Sequence, residues 1–326
     1  MSVSSKKEDT MEIVIDSQYA GRTLLSYLKF TLKISSAYIT RLKQDQHGLE
    51  VNGKHVTVRY VLQVGDILHV SIDDSFERAN QNIEPVDIPL NIIYEDNDLL
   101  IINKPPFMPT HPSHNHHSDT LANAVAHLYK TRGLPFIFRP VGRLDRNTSG
   151  IVVLGKNMPA AAHFTKERQN NRVQKSYIAI VRGEMSENNG EITTPLKRQA
   201  ESIIIRTVCN PCDEGAMSAH TVWENLYSGH GISLVRAYPK TGRTHQIRVH
   251  LASIGHPILG DDIYGDESDY IQRHALHAYT LRFSLPFSEQ IKTVDAGIPK
   301  DMRDAFLEIT GEDISLYLKD RKEFYE

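Results

Sequence analysis

After residue 90 the chain carries short apolar runs at uneven spacing, and this unevenness most constrains what it can fold into. Residues 90–94, 99–102, 151–154 and 175–182 read as strands, and further strand-like runs fall near 202–208, 219–226 and 232–238. Helix signals interrupt them irregularly. Pro159 suits the first turn of a helix reaching about Gln169. Ile247, Leu251 and Ile254 have helical spacing, with Thr244 as a cap and Gly255 and Pro257 as the stop. A doubly wound sheet needs regular alternation of strand and helix, which is missing. The pattern predicts an α+β domain with a large mixed, mostly antiparallel sheet and no internal repeat.

A smaller α/β module precedes it. Leu24, Leu25 and Leu28 lie at helical spacing, and a serine in Ile34-Ser35-Ser36 caps a second helix. Asn52-Gly53 marks a hairpin, and Val64-Gly65-Asp66 turns into a strand beginning at Ile67. The resulting division is 1–75 for the small module, 76–89 for a linker with Pro85 and Pro89, 90–300 for the large domain, and 301–326 for a charged, helical tail.

No apolar stretch is long enough to span a bilayer, and the polar start MSVSSKKEDT lacks the apolar middle of a signal peptide. Two cysteines in 326 residues point away from a disulfide framework and toward a reducing cytoplasm. The net charge of −3 hides basic blocks. Between Arg22 and Arg59, Lys/Arg at 22, 29, 33, 41, 43, 54 and 59 face only Asp45 and Glu50. Between Lys130 and Arg182, eleven Lys/Arg face only Asp145 and Glu167. From Arg236 to His250 there are four Lys/Arg and no acid. Any one block could be a solvated face; three together predict a polyanion such as a phosphate backbone.

Three motifs mislead. Gly150–Lys156 fits the start of a phosphate-binding loop, but Asn157 replaces the required Ser/Thr and the middle residues form a buried strand. Cys209-Asn-Pro-Cys212 lacks a second ligand pair for zinc and lacks the helix of a redox motif. His111, His114, His116 and His117 crowd a loop without a carboxylate or cysteine spaced to complete a metal site. No metal and no cofactor is expected.

Asp145 is the carboxylate that stands out, between Arg143 and Arg146 and just before the polar turn 147–150. A surface salt bridge would account for it, and so would a reactive carboxylate kept ionised in a basic cleft. The segment from Tyr238 to Pro257 offers a partner, since His245 and Arg248 share one helical face near a donor-rich helix start.

Taken together, these segments resemble the RluA/RluC/RluD family of RNA pseudouridine synthases. The family's R-L-D-x-x-T-S-G stands here as Arg143 to Gly150, its G-R-T-H-Q-I-R-V-H-L as Gly242 to Leu251, and its K-x-Y-x-A-x-V-x-G as Lys175 to Gly183. Asn103-Lys104-Pro105 matches a fourth element, and Gly142 departs from a common histidine. The small module resembles the S4 RNA-binding domain through R-x-L from Arg22, ISSAYITRLK, GLEVNGK and VLQVGD.

The resemblance implies a cofactor-free isomerase that breaks the N1–C1′ bond of a uridine in RNA, turns the base and rejoins it through C5. Asp145 would be the essential carboxylate, with Arg248 as its ionic partner. Tyr177 would stack on uracil and handle the C5 proton. Arg143 would help evert the nucleotide, Arg146 would contact phosphate, and Arg243 and His245 would bind RNA. Arg22, Ser36, Arg41 and Lys43 would lie on the RNA-facing helices of the small module. The layout resembles that of enzymes acting on large-subunit ribosomal RNA, so the expected substrate is 23S-type RNA or a pre-ribosomal particle, and the protein is expected to be a cytoplasmic monomer. The alternatives are tRNA as substrate, or a non-catalytic RNA-binding assembly factor.

Overall fold

The computed structural model describes residues 10–318, except 33, 35, 72–82, 135–136, 171, 203, 287 and 289. The first sheet holds β1 (Thr10–Val14), β2 (Leu49–Val51), β3 (Lys54–His55) and β4 (Ile67–Ser71) in the order β1-β4-β2-β3. Helix α1 (Leu24–Ser26), widening into a π-turn over Tyr27–Thr31, and α2 (Ser36–Leu42) accompany it. Thr23 caps α1 by accepting from the Ser26 N–H. Leu24, Leu28, Ile39, Leu49, Leu68 and Val70 form a core of their own. Asn52 and Gly53 both have positive φ, at 52° and 74°, which gives the β2–β3 hairpin its tight turn.

The second sheet is built from β5 (Ile92–Glu95), β6 (Leu99–Lys104), β7 (Ser149–Gly155), β8 (Gln174–Arg182), β9 (Asn189–Ile192), β12 (Thr221–Gly229), β13 (Ile232–Pro239), β14 (Leu276–Ser284) and β15 (Ile291–Asp295). β10 (Leu196–Arg198) and β11 (Arg206–Val208) form a separate ribbon, shorter than the run expected near 202–208. The large sheet is ordered β5-β6-β7-β14-β8-β13-β12-β9, with β15 on β14. Every named pairing is antiparallel except β7 with β14. The mixed, mostly antiparallel α+β architecture is therefore present.

Helices α3 (Leu121–Thr131), α4 (Met158–Gln169), α5 (Gln246–Ser253) and α6 (Lys300–Thr310) pack around this sheet. Asn157 caps α4, accepting from the Ala160 N–H at 2.8 Å, and Pro159 sits in the first turn where its missing N–H costs nothing.

Two boundary regions differ from expectation. The helix from residue 300 is not a tail: Met302, Ala305 and Phe306 are fully buried in the core of β8 and β13, and Asp301 pairs with Arg273 at 2.7 Å. Its charged face hid an apolar one at i, i+3, i+4 spacing. The described end of the supposed linker is also tied down. The Asn123 side chain donates to the Glu84 carbonyl at 2.7 Å, and the Val86 N–H donates to the Asn123 carbonyl.

The Gly150–Lys156 look-alike is a strand with residues 149–155 all buried, and Lys156 is spent on Glu95 at 3.0 Å and the Asp96 carbonyl at 2.6 Å. At Gly150, φ is 108° and an added Cβ would fall 2.2 Å from the Ala278 carbonyl oxygen. That absence of a side chain lets β7 and β14 run side by side. Gly150→Ala is expected to lower stability by roughly 3 kcal/mol in urea denaturation; a loss near zero would show that this approach is not required.

Candidate active site

Asp145 is placed by the loop between α3 and β7. Leu144 is buried, its carbonyl accepts from the Thr110 hydroxyl at 3.2 Å, and the Thr148 N–H closes the turn onto the Asp145 carbonyl at 3.1 Å. Three side chains from the start of β14 and the segment before it hold residues 147–149. Arg273 donates to the Asn147 carbonyl at 3.0 Å, His274 bonds the Thr148 hydroxyl at 2.8 Å, and His277 bonds the Ser149 hydroxyl at 2.8 Å. Burial pushes both histidines down to about 3, with nearby arginines adding to the effect, so they act as neutral struts at working pH.

Lys104 closes the loop from the other side. Its ammonium donates to the carbonyls of Pro105, Met108 and Arg146 at 2.9, 2.8 and 3.1 Å. Burial, helped by Arg273, pulls its pKa down to about 7, while Asp145 acts in the opposite direction.

The second wall is the 241–248 turn. Gln246 is buried and fully satisfied: its oxygen accepts from Thr241 Oγ1 at 2.7 Å and the Arg243 N–H at 3.0 Å, and its amide donates to the His220 carbonyl and Thr221 Oγ1. This lock sets the start of α5, where the sequence expectation needs correcting. Thr244 is not the cap. His245 occupies that position in the left-handed region at φ 57°, with its Nδ1 bonded to the Tyr264 hydroxyl at 2.9 Å, while the Thr244 hydroxyl accepts from Arg143 Nη2 at 3.0 Å. A non-glycine residue held there carries strain that the surrounding bonds must offset.

Arg248 also differs from expectation. Its Nε and Nη2 make two 2.7 Å bonds to Asp261, and only Nη1 is left toward Asp145, at 3.9 Å. The arginine and Asp261 side chains are 3% and 0% exposed, whereas Asp145 is 26% exposed. Burial opposes the charge on each, yet their mutual bonding outweighs it, raising Arg248 and lowering Asp261. A two-point fork on one carboxylate fixes the guanidinium plane and aims its remaining nitrogen at the other. His245 Nε2 also lies 3.9 Å from Asp145, and burial lowers its pKa.

Between the two walls is a cavity of about 560 Å³ lined by Arg143, Asp145, Arg168, Lys175, Tyr177, Lys240, Arg243, His245 and Arg248, among others. Of its lining residues six are Lys or Arg and one, Asp145, is an acid. Burial pushes the Tyr177 phenol well above its ordinary value, with Asp145 adding and Arg168 opposing. Lys175 Nζ donates to the Ile151 carbonyl at 2.7 Å and lies 5.2 Å from the Tyr177 ring centre. Burial, with Arg168 and Lys104, brings its pKa down to about 7.

The structure thus brings together Asp145, Tyr177, Arg248, Arg143, Arg243 and His245. Arg146 does not line the cavity; its Nε points to the Phe107 carbonyl at 3.4 Å. Arg22, Ser36, Arg41 and Lys43 belong to the helical part of the first module, with Ser36 and Arg41 on α2, Arg22 just before α1 and Lys43 just after α2. Sequence reasoning missed Asp261, Arg273, His274 and His277, and gave no role to Lys104 and Lys175. Four charged or imidazole side chains among apolar neighbours, in Gly260-Asp261 and Arg273-His274-Ala-Leu-His277, were the available signal.

Among the described residues, no three His, Cys, Asp or Glu converge as a metal site. Cys209 donates to the Pro195 carbonyl and Cys212 is exposed, while His116 pairs with Asp119 at 2.6 Å. No described helix is long and apolar enough to cross a membrane.

The profile of the RNA pseudouridylate synthase family matches residues 98–253, which contain every cavity residue named above. The chain is 37% identical over 271 residues to a Bacillus subtilis protein named uncharacterized RNA pseudouridine synthase YjbO, covering 83% of this chain and 94% of the relative. It is 36% identical over 293 residues to ribosomal large subunit pseudouridine synthase D of Zymomonas mobilis, covering 83% and 90% respectively. Among solved structures, human RNA pseudouridylate synthase domain containing 1 superposes with a TM-score of 0.52 at 29% identity, covering 64% of this chain and 82% of that one.

Two expectations follow from the geometry. Asp261→Ala strands the buried Arg248 charge and should cost about 3–5 kcal/mol in a urea titration; a change below 1 kcal/mol would mean another group replaces the pair. Lys104 and Lys175 titrate lower in the fold than in the unfolded chain, where the lysine value is about 10.4. Between pH of about 7 and 10 the unfolded chain therefore binds more protons, so their contribution to stability rises with pH and is lost as pH falls through about 7. Lys175→Met should flatten that part of the stability–pH curve, read from urea midpoints at several pH values.

Proposed function

Because the chain belongs to the family of RNA pseudouridine synthases, isomerases that convert uridine in RNA to pseudouridine, we propose that it acts on large-subunit ribosomal RNA with Asp145 as the essential carboxylate and without a cofactor. The observation that carries this reading is the composition of the cavity, one carboxylate facing six Lys and Arg side chains. Its volume of about 560 Å³ lies in the usual range for a small-molecule-sized group, such as a single everted nucleotide. The cations suit the phosphates on either side of that nucleotide. The similarity to the Zymomonas mobilis large-subunit enzyme over 83% of this chain supports the choice of RNA.

In the proposed reaction the N1–C1′ bond of the uridine breaks, a C5–C1′ bond forms, C5 gives up its proton and N1 gains one. The change is redox-neutral, so positioning and proton handling are sufficient. Asp145 acts on the ribose or ring from the cavity wall. Arg248, oriented by Asp261, supplies fixed positive charge on its far side, which costs no reorganisation during reaction. Tyr177 presents its ring to the uracil. Its raised pKa keeps the hydroxyl protonated, so it suits a relay that gives up one proton as it takes another better than a resting base. Arg143, held on Thr244, fills the stack left by the everted base. The first module, with Arg22, Ser36, Arg41 and Lys43 on or beside its helices, serves as an S4-type platform for flanking RNA.

The C5 hydrogen leaves during the reaction, so tritium release from a [5-³H]uridine-labelled large-subunit ribosomal RNA transcript measures turnover. Asp145→Asn should abolish release while RNA affinity stays within about twofold of wild type, and RNA affinity should fall steeply with salt. Release by the variant at the wild-type rate would remove Asp145 from the chemistry. Mapping pseudouridines in cells with and without the gene tests the substrate; a site lost only from tRNA would overturn the ribosomal assignment. Because the Tyr177 hydroxyl stays protonated, wild type and Tyr177→Phe should show parallel pH–rate profiles between pH of about 6 and 9.

A further inference from the structure

Arg168 is the penultimate residue of α4 and belongs to neither segment that carries the reactive groups. Its guanidinium nevertheless lies between them. A Cβ added at Gly142 would fall 2.5 Å from Arg168 Nη1, and one added at Gly242 would fall 2.6 Å from Arg168 Nη2. Gly142 is three residues before Asp145, and Gly242 opens the turn that leads to His245 and Arg248. A third element thus inserts a cation where two side chains would otherwise be, at the cavity both walls enclose.

The two glycines are not equivalent. Gly142 has φ of 94°, a conformation that calls for glycine whatever its neighbours. Gly242 is absent from the positive-φ residues, so its backbone would accept a side chain. Only the guanidinium crowds the space at that position.

Four of the other five Lys and Arg side chains that line the cavity are already engaged. Arg248 is held by Asp261, Arg143 by Thr244, Lys175 by the Ile151 carbonyl and Arg243 by the Ser218 carbonyl. Among the described residues no carboxylate pairs with Arg168, although its charge is felt at both Tyr177 and Lys175. A planar fork of donors whose two Nη atoms face Gly142 and Gly242, and which no described carboxylate holds, matches a phosphate.

We infer that Arg168 is a substrate-binding residue that grips an RNA phosphate beside the everted uridine, and that Gly142 and Gly242 form the slot that orients it. The inference rests on the reading of the cavity as a site for an everted uridine, and deepens it by naming the residue that fixes the backbone.

The test uses the full chain and a large-subunit ribosomal RNA transcript labelled with [5-³H]uridine. Arg168→Ala should raise KM about tenfold while kcat stays within about threefold, and should reduce the log–log salt slope of binding by about one phosphate contact, roughly 0.7–0.9. Arg168→Lys should recover part of the affinity as a point charge without the fork. Gly242→Ala displaces only a flexible side-chain end, so the fold should survive, and it should raise KM as Arg168→Ala does. In the Arg168→Ala background the same glycine change should add nothing. Additive effects, or an Arg168→Ala enzyme with wild-type KM and salt slope, would overturn the inference. If wild type releases no tritium from this RNA, the substrate reading fails instead. Binding of the transcript then decides the slot alone, since Arg168→Ala must still lose affinity and slope.

Discussion

The site depends on one buried pair, Arg248 with Asp261. Both side chains are almost fully withdrawn from water, and two 2.7 Å bonds set their mutual geometry. Two charges buried in this way gain little net stability, because desolvation consumes most of their attraction. What the pair supplies is direction. With Nε and Nη2 committed to Asp261, the arginine can offer only Nη1 toward Asp145. Tyr264 extends the arrangement: its ring lies 5.1 Å from the guanidinium and its hydroxyl holds His245 in a left-handed conformation.

The opposite wall is made rigid by neutral groups. His274 and His277 bond successive hydroxyls of the turn after Asp145, and their low pKa values leave them uncharged beside several arginines. The parallel contact of β7 with β14 sets the register, placing His277 opposite Ser149 and Ala278 opposite Gly150. Lys104 ties the loop backbone from below through three carbonyls. This shell fixes the loop that carries Asp145, and in catalytic sites small misplacements reduce rates strongly.

Charge distribution explains how a chain of net charge −3 can serve a polyanion. The cations converge on one concave surface while acids collect elsewhere, and a local field rather than the net charge governs encounter with RNA. The basic blocks around 130–182 and 236–250 come together there because β7, β8 and β13 lie in the middle of one sheet, with α4 and α5 beside them.

Much of this was legible in one dimension. Strand runs, the α4 start at Asn157-Met158-Pro159, the Asn52-Gly53 hairpin and the mixed sheet class follow from periodicity and turn chemistry, which are local. The charged helix at 300–310 was legible as a helix but not as part of the core, because its apolar stripe is narrow and interrupted by charge. Asp145, Tyr177 and Arg248 could be named through the family resemblance that their motifs carry. What occupies the other bonds of Arg248 could not: Asp261 is thirteen residues away and resembles any surface acid until burial reveals its partner. The same holds for His274 and His277, each over 120 residues from the hydroxyl it braces. The sequence alone determined which groups are candidates for the chemistry, since residue type and spacing are local properties. Tertiary structure decided which of them is oriented by what, because long-range strand pairing, absent from any window of sequence, sets those contacts.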